Sequence, residues 1–362
     1  FSGDAITCWI DGDDGTLACA AAIAMQEAME RAGEITTPGG TQIRLAMKVA
    51  VAVGAARRFL VGDPDIQLID VLAGSLIDDL AAAEHFAEKG EIVLEPSAIR
   101  SVGDRVSLGE LRRDEAADLT YAVLASLHAQ IPKMQVEEPP PLPEELVRPW
   151  LLPEVYERLV AGRGEFLTEL RPAIPVFLRF GGIDYDDDPE AVWKLDEFVR
   201  GAQRIMSGYG GNVLQLTLGD KGAYLYGVFG SPVAHEDDPV RAAAAALELR
   251  DLEDSTAARD IQIGVTRGTL RSGTYGHVMR RTFVCLGDEV NLSARLMSAA
   301  PPHQIYVSER IQQGAGDAFV WERLPDMKVK GKAQPVAVYA LNGSLERASK
   351  RRTRFELPLV GR

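Results

Sequence analysis

The sequence GDEVNLSARLM, residues Gly287 to Met297, carries Asn291 and Arg295 four places apart. On a helix that spacing brings both side chains to one face. RTFVC (Arg281–Cys285) before it and QIYVSE (Gln304–Glu309) after it read as strands, which predicts a helix held between two strands. Upstream, IQIGVTRG (Ile261–Gly268) reads as a strand and DDPVRAAAAALELRDL (Asp237–Leu252) as a helix. QLTLGDKGAYLYGVFG (Gln215–Gly230) reads as a strand pair with a glycine turn. Further back, IPVFLRF (Ile174–Phe180) predicts a strand, followed by an acidic turn at Asp184–Asp188. A helix is expected from Pro189 to about Tyr209, since proline suits a first helical turn. Val192, Leu195, Phe198, Val199, Ala202, Ile205 and Met206 form its apolar stripe.

The first part of the chain repeats this order. FSGDAITCWI (Phe1–Ile10) is followed by a helical run, GTLACAAAIAMQEAMERAG. Then come an apolar strand (IRLAMKVAVAVG), a short strand (IQLIDVLAG), a helix (SLIDDLAAAEHFAEKG) and a strand (EIVLEP). The match argues for two copies of one layered domain. The first copy has no counterpart of the strand and helix over 174–209, so the chain is expected to be a fragment whose opening unit lies upstream of Phe1.

Between the copies, residues 132–153 hold seven prolines interleaved with glutamates, the composition of a semi-rigid linker. Glu154 to Leu170 then reads as a helix leading into the second copy. The division is a first domain over 1–130, linker and helix over 131–172, a second domain over 173–345 and a C-terminal linker over 346–362.

Composition narrows the function classes. The 362 residues are 46% hydrophobic and 25% charged, the balance of a globular chain with sizeable cores. Fifty-three acidic against 39 basic residues give a net charge of −14, which disfavours a general nucleic-acid or membrane-surface binder. No membrane span is visible. Cys8, Cys19 and Cys285 form no disulfide or zinc pattern and suggest a reducing, cytoplasmic setting. The five histidines are scattered, and no Walker A sequence occurs.

GDEVNLSARLM in this setting resembles the signature of class III nucleotidyl cyclases. FSGDA (Phe1–Ala5) is similar to that family's metal-binding strand, and KVKGK (Lys328–Lys332) to its late phosphate-contacting hairpin. The ordered set looks most like the tandem, soluble adenylyl cyclase branch, in which C1 and C2 domains share one chain and an ATPase module follows; LPLVGR (Leu357–Arg362) resembles the entry to that module. The resemblance implies an α+β fold of two ferredoxin-like cyclase homology domains forming a pseudo-twofold pair. It implies an adenylate cyclase, a phosphorus–oxygen lyase that converts ATP to cyclic AMP and pyrophosphate at the C1/C2 interface.

Site residues follow from the same resemblance. Two ions, Mg²⁺ or Mn²⁺, would be held by aspartates of C1, of which Asp4 is the second; the first would precede Phe1. Asn291 would orient the ribose, and Arg295 would stabilise the pentavalent phosphate. Lys330 matches the triphosphate-contacting lysine. Gln215 and Cys285 stand where the base is read; glutamine can donate and accept, so GTP stays open beside ATP. Arg179 stands where C2 would have a metal aspartate. In C1, Asp78 and Ala82 stand opposite Asn291 and Arg295, so one of the two pseudo-symmetric sites is expected to be catalytic. Ala81 or Ala82 also replaces the arginine that the soluble branch uses for bicarbonate. Asp220 and Lys221 read as turn residues. The competing readings are a non-catalytic nucleotide-sensing module that regulates a downstream ATPase, and a guanylate cyclase.

Overall fold

A computed structural model describes residues 5–131, 140–162, 169–219, 222–277, 280–329 and 334–345. In chain order the first part holds α1 (Thr16–Ala32), β1 (Glu34–Thr36), β2 (Gln42–Arg44), β3 (Val49–Val51), β4 (Arg57–Val61), β5 (Ile69–Ala73), α2 (Ser75–His85), β6 (Ile92–Leu94), α3 (Pro96–Val102), β7 (Val106–Asp114) and β8 (Leu119–Leu127). There follow α4 (Glu144–Val147), α5 (Pro153–Val160), β9 (Glu169–Gly181), α6 (Ala191–Gly208), β10 (Asn212–Thr217), β11 (Ala223–Phe229), α7 (Asp238–Arg250) and β12 (Arg259–Val265). The last elements are β13 (Gly268–His277), β14 (Arg280–Leu286), α8 (Asp288–Ala299), β15 (Gln304–Ser308), α9 (Glu309–Ala315), β16 (Phe319–Arg323) and β17 (Val338–Ser344). The class is α+β. Among the described residues no helix is long and apolar enough to cross a membrane.

The chain divides into two compact units, and their boundaries are not contiguous. One comprises 1–58, 72–141 and 218–221; the other comprises 59–71, 142–217 and 222–362. The sequence-based division at 130 and 173 follows the chain without interruption, whereas the compact units exchange the short segments 59–71 and 218–221.

The first unit is built on the sheet β3-β6-β8-β7. Strand alternation splits its core into two layers. Ile92 and Leu94 face α1 and α3, where Cys19, Ala22, Ala98 and Val102 are buried. Val93 faces the other way, with Ala83 of α2, Ala87 and Tyr121. Phe86 stacks on Tyr121 at 4.3 Å. The first turn of α1 is satisfied by Asp13, which accepts from the amides of Leu17 (3.1 Å) and Ala18 (2.9 Å). The single strand expected over 43–54 is two strands with different partners: β2 pairs with β1, and β3 with β6. Of the strand expected over 1–10, Ala5 keeps one bridge position and 6–10 form no ladder.

The second unit carries a large sheet, β10-β11-β9-β12-β15-β17-β16, with the β13–β14 hairpin joined to β9. β9 is longer than predicted because its two parts have different partners. Glu169–Ala173 pairs with β13, while Ile174–Phe180 runs between β11 and β12. For the same reason the expected 154–170 helix ends early. Gly162 takes a left-handed turn (φ 70°) after α5, and Leu170 is a strand residue. Helix α6 matches its prediction, with Leu195, Phe198, Val199 and Ala202 all fully buried. Ala202 and Met206 of α6 and Leu249 of α7 meet Val176, Leu178, Val213 and Leu225 on one face of the sheet.

The β4–β5 hairpin is fastened to α6 through its turn, residues of the second unit. Asp196 Oδ1 accepts from the Gly62 amide at 2.8 Å, and Gln203 Oε1 from the Asp63 amide at 2.7 Å. Gln203 Nε2 donates to Gln67 O at 2.7 Å, and Arg204 pairs with Asp63 at 3.0 Å. Gln203 is 1% exposed, so both its bonds are shielded from water.

Candidate functional site

Helix α8 lies on the sheet face opposite α6 and α7, and a glycine sets its height. A Cβ on Gly264 of β12 would stand 2.1 Å from Ser293 O and 2.4 Å from Met297 N. Only a residue without a side chain lets the helix backbone approach that closely. Ser293 fastens the contact: its single hydroxyl proton is shared between Gly264 O at 2.7 Å and Pro175 O at 3.0 Å. Leu292, Ser293, Leu296 and Met297 are buried beneath the helix, while Asn291 is exposed and Arg295 half-buried. The i, i+4 spacing therefore puts this pair on the side of α8 away from its own core.

Gln215 reaches the same region through a β-bulge. Val213 pairs with Gly227 and Gln215 with Tyr226, so Leu214 is the extra residue. The Gln215 amide donates from Nε2 to Thr217 Oγ1 at 2.9 Å, which aligns the side chain along β10. Among the described residues no donor is bonded to its Oε1. Tyr226, directly across from Gln215, stacks on Phe177 at 4.7 Å and donates to Cys285 O at 2.8 Å. Burial pushes the Tyr226 phenol well up, so it remains a donor.

Cys285 is 0% exposed. It packs with Ala173, Phe177, Tyr226, Leu270 and Met297, and its thiol meets the hydroxyls of Ser231 and Ser272. Burial pushes the thiol up, against the opposing effect of those two hydroxyls. This is the placement of a packing residue, in the floor beside Gln215 rather than on a surface. Leu214, Val290 and Ala294 lean on the same cluster. One apolar cluster thus joins the strand that carries Gln215, the strand that carries Cys285 and the helix that carries Asn291 and Arg295.

Asp4 and Lys330 lie outside the described residues, as do Asp220 and Lys221. The segment with Lys330 is bracketed by the reciprocal Met327–Val336 bridge, 2.9 Å in each direction. Arg179 sits on β9 opposite Tyr224. Its Nε lies 3.0 Å from where a Cβ of Gly222 would be. A guanidinium has no lone pair to offer a cation. Among the described residues no group of three acidic, histidine or cysteine side chains could hold a metal ion, so those residues do not fit a divalent ion.

The repeat is visible in the helices themselves. α2 starts one residue after Gly74 and α8 one residue after Gly287. Equal offsets put Asp78 at the level of Asn291 and Ala82 at the level of Arg295, so α2 lacks the amide and the cation. Thr217, Tyr226 and Ser293, which hold the site together, were not singled out from the sequence. Gly264 was marked there only by being a glycine inside a strand.

Residues 206–343 match the family described as "Adenylate and Guanylate cyclase catalytic domain". "Adenylate cyclase type 10" of Rattus norvegicus is 24% identical over 339 residues, covering 85% of this chain and 21% of the relative. The protein of the same name from Homo sapiens is 23% identical over 334 residues, with 85% and 21% covered. The chain therefore spans about a fifth of the length of these relatives. Among solved structures, the adenylyl cyclase CyaB from P. aeruginosa aligns with a TM-score of 0.46 at 22% identity, over 50% of this chain and 98% of that one. The guanylyl cyclase Cya2 aligns with a TM-score of 0.43 at 22% identity, over 49% and 95%.

Proposed function

We propose that the chain, whose residues 206–343 match the adenylate and guanylate cyclase catalytic domain family, converts ATP to cyclic AMP and pyrophosphate. The ribose 3′-oxygen attacks the α-phosphorus and loses its proton. The bond from that phosphorus to the bridging oxygen breaks, and pyrophosphate leaves. Charge grows on the phosphate oxygens, so a fixed cation is the chief requirement. Arg295 is assigned that role and Asn291 the orientation of the ribose. Lys330 is assigned to the triphosphate. The observation that carries the reading is the outward pair on α8, held at a fixed height by Gly264 and Ser293.

Gln215 is assigned to the base, with Cys285 beneath it. Thr217 takes one of the two Nε2 protons, which leaves Oε1 to accept from the 6-amino group of adenine and the second N–H to donate. The relatives named adenylate cyclase favour ATP over GTP. Mg²⁺ or Mn²⁺ would neutralise phosphate charge when bound. Asp4 of C1 is the residue assigned to hold it. Pairing of the two homology domains, a cytoplasmic setting and a downstream ATPase module belong to the same proposal.

The test is product formation with ATP and GTP offered separately in Mn²⁺, read by mass spectrometry. Cyclic AMP that falls about 10²-fold in Arg295→Ala is expected. Near-normal turnover in that variant removes Arg295 from the mechanism, and cyclic GMP overturns the substrate. No product from folded protein leaves the nucleotide-sensing module as the better account.

A further inference from the structure

Away from the residues of the candidate site, the second unit has a cavity of about 430 Å³ beside the β12–β13 turn and α9. Arg267 and Arg310 line it together with Thr269, Gln313 and the backbone of Gly268 and Gly314. Neither arginine makes an ion pair or a side-chain hydrogen bond among the described residues. Acidic residues outnumber basic ones by 53 to 39 in this chain. Two guanidiniums share one cavity of this acidic chain, with the Glu289 side chain as the acidic group beside Gly268.

The glycines hold the space open. A Cβ at Gly314 would lie 3.0 Å from Arg267 Nη1 and 2.9 Å from Pro239 Cγ. A Cβ at Gly268 would lie 2.4 Å from Glu289 Cγ and 3.5 Å from Arg310 Nη1. Side chains at these two positions would fill the place where a ligand could meet both arginines. The volume falls within the range of small-molecule sites.

We infer that this cavity binds a phosphate-bearing small molecule, with the phosphate between Arg267 and Arg310. Guanidiniums donate in a planar fork that suits phosphate oxygens. Thr269 and Gln313 add a hydroxyl and an amide. Glu289 stands at the rim over Gly268 and offsets one positive charge. The site therefore selects a ligand able to engage both arginines at once. A tetrahedral phosphate has the oxygens to do so, whereas a carboxylate with two oxygens satisfies one fork. The site is also tied to α8, because Thr266, next to Arg267, donates from Oγ1 to Glu289 O at 2.7 Å. Its ligand is thus placed to act as an effector.

The inference does not depend on turnover, so it is tested by binding. The full chain is titrated calorimetrically with pyrophosphate, and separately with acetate, in the presence of a chelator. One saturable pyrophosphate site is expected to weaken about tenfold or more in Arg267→Ala and in Arg310→Gln, and to persist in Arg295→Ala. Arg310 is exposed, so its variant is expected to keep the wild-type melting temperature. Pyrophosphate binding that neither variant changes overturns the site. Acetate binding as tightly, with the same dependence on both arginines, overturns the phosphate selectivity.

Discussion

Replacing Gly264 by alanine tests how the proposed catalytic pair, Asn291 and Arg295, is positioned. The added Cβ would stand 2.1 Å from Ser293 O and 2.4 Å from Met297 N, and both are backbone atoms that cannot rotate away. Ordinary contact begins near 3.4 Å. Helix α8 must therefore retreat by more than 1 Å, or β12 must buckle by as much. Overpacking of this kind costs about 1–3 kcal/mol. Retreat also stretches the shared hydrogen bond from Ser293 Oγ to Gly264 O and Pro175 O. A misplacement of about 1 Å at reacting groups can lower turnover about 10²-fold. Urea unfolding and cyclic-nucleotide formation would be measured on the same preparation, with Gly208→Ala as the control. Nothing lies within 4 Å of a Cβ at Gly208, so that variant is expected to be neutral or slightly stabilising. A Gly264→Ala protein with unchanged urea midpoint and turnover would refute the close-approach argument. Lost turnover at unchanged stability would show that α8 moves without cost, which the contact distances forbid.

Three further outcomes are expected. Gln215→Leu removes one base contact made in ground and transition states alike, so KM for ATP rises about tenfold while kcat changes little; a fall confined to kcat would contradict the base-reading role. Gln203→Ala leaves the Asp63 amide and the Gln67 carbonyl without their buried partner and costs about 2 kcal/mol or more; an unchanged urea midpoint, with no faster proteolysis at the β4–β5 turn, would disprove it. Asp14 is held down to about 2, first by the Thr16 hydroxyl and then by the Arg105 guanidinium and the Thr16 amide. A depressed carboxyl contributes stability above its unfolded value near 3.8, and that contribution is lost as pH falls toward 2. The urea midpoint of the native protein is therefore expected to fall more between pH 4 and 2 than that of Asp14→Asn, and parallel profiles would exclude the effect.

Sequence patterning located the elements with strong local signals. The α6 stripe and the α8 run needed only helical periodicity, and Gly74 and Gly287 fixed the register of the repeat. What escaped detection was set by partners distant in the chain. Nothing local says that residues 169–173 pair with β13, so the helix was extended too far. β4 was overlooked because RRFLV mixes charge with apolar residues and takes its role from α6. The hairpin of β7 and β8 and the β16–β17 pair were also missed. For the site, the residue types on α8 were legible, while their support was not. Thr217 matters only because it shares a face of β10 with Gln215 and accepts from its amide, and Gly264 only because a helix descends on it. Cys285 reads as a base contact by position and sits in the core by packing.

The fastening of the β4–β5 turn to α6 also bears on how the chain is made. The Gly62 amide and its acceptor on Asp196 are 134 positions apart, and Asp63 and Gln203 are 140 apart. Translation at about 5–20 residues per second puts roughly 7–28 seconds between the emergence of the turn and that of its helix. Throughout that interval the turn has no seat, and an isolated two-stranded hairpin is marginally stable in water. Leu60, 51% exposed even in the completed fold, is among the apolar groups it shows to the surroundings. Final closure must then wait for a long-range encounter, a slow kind of step in folding. Holdase chaperones therefore have their window on the ribosome, before α6 appears.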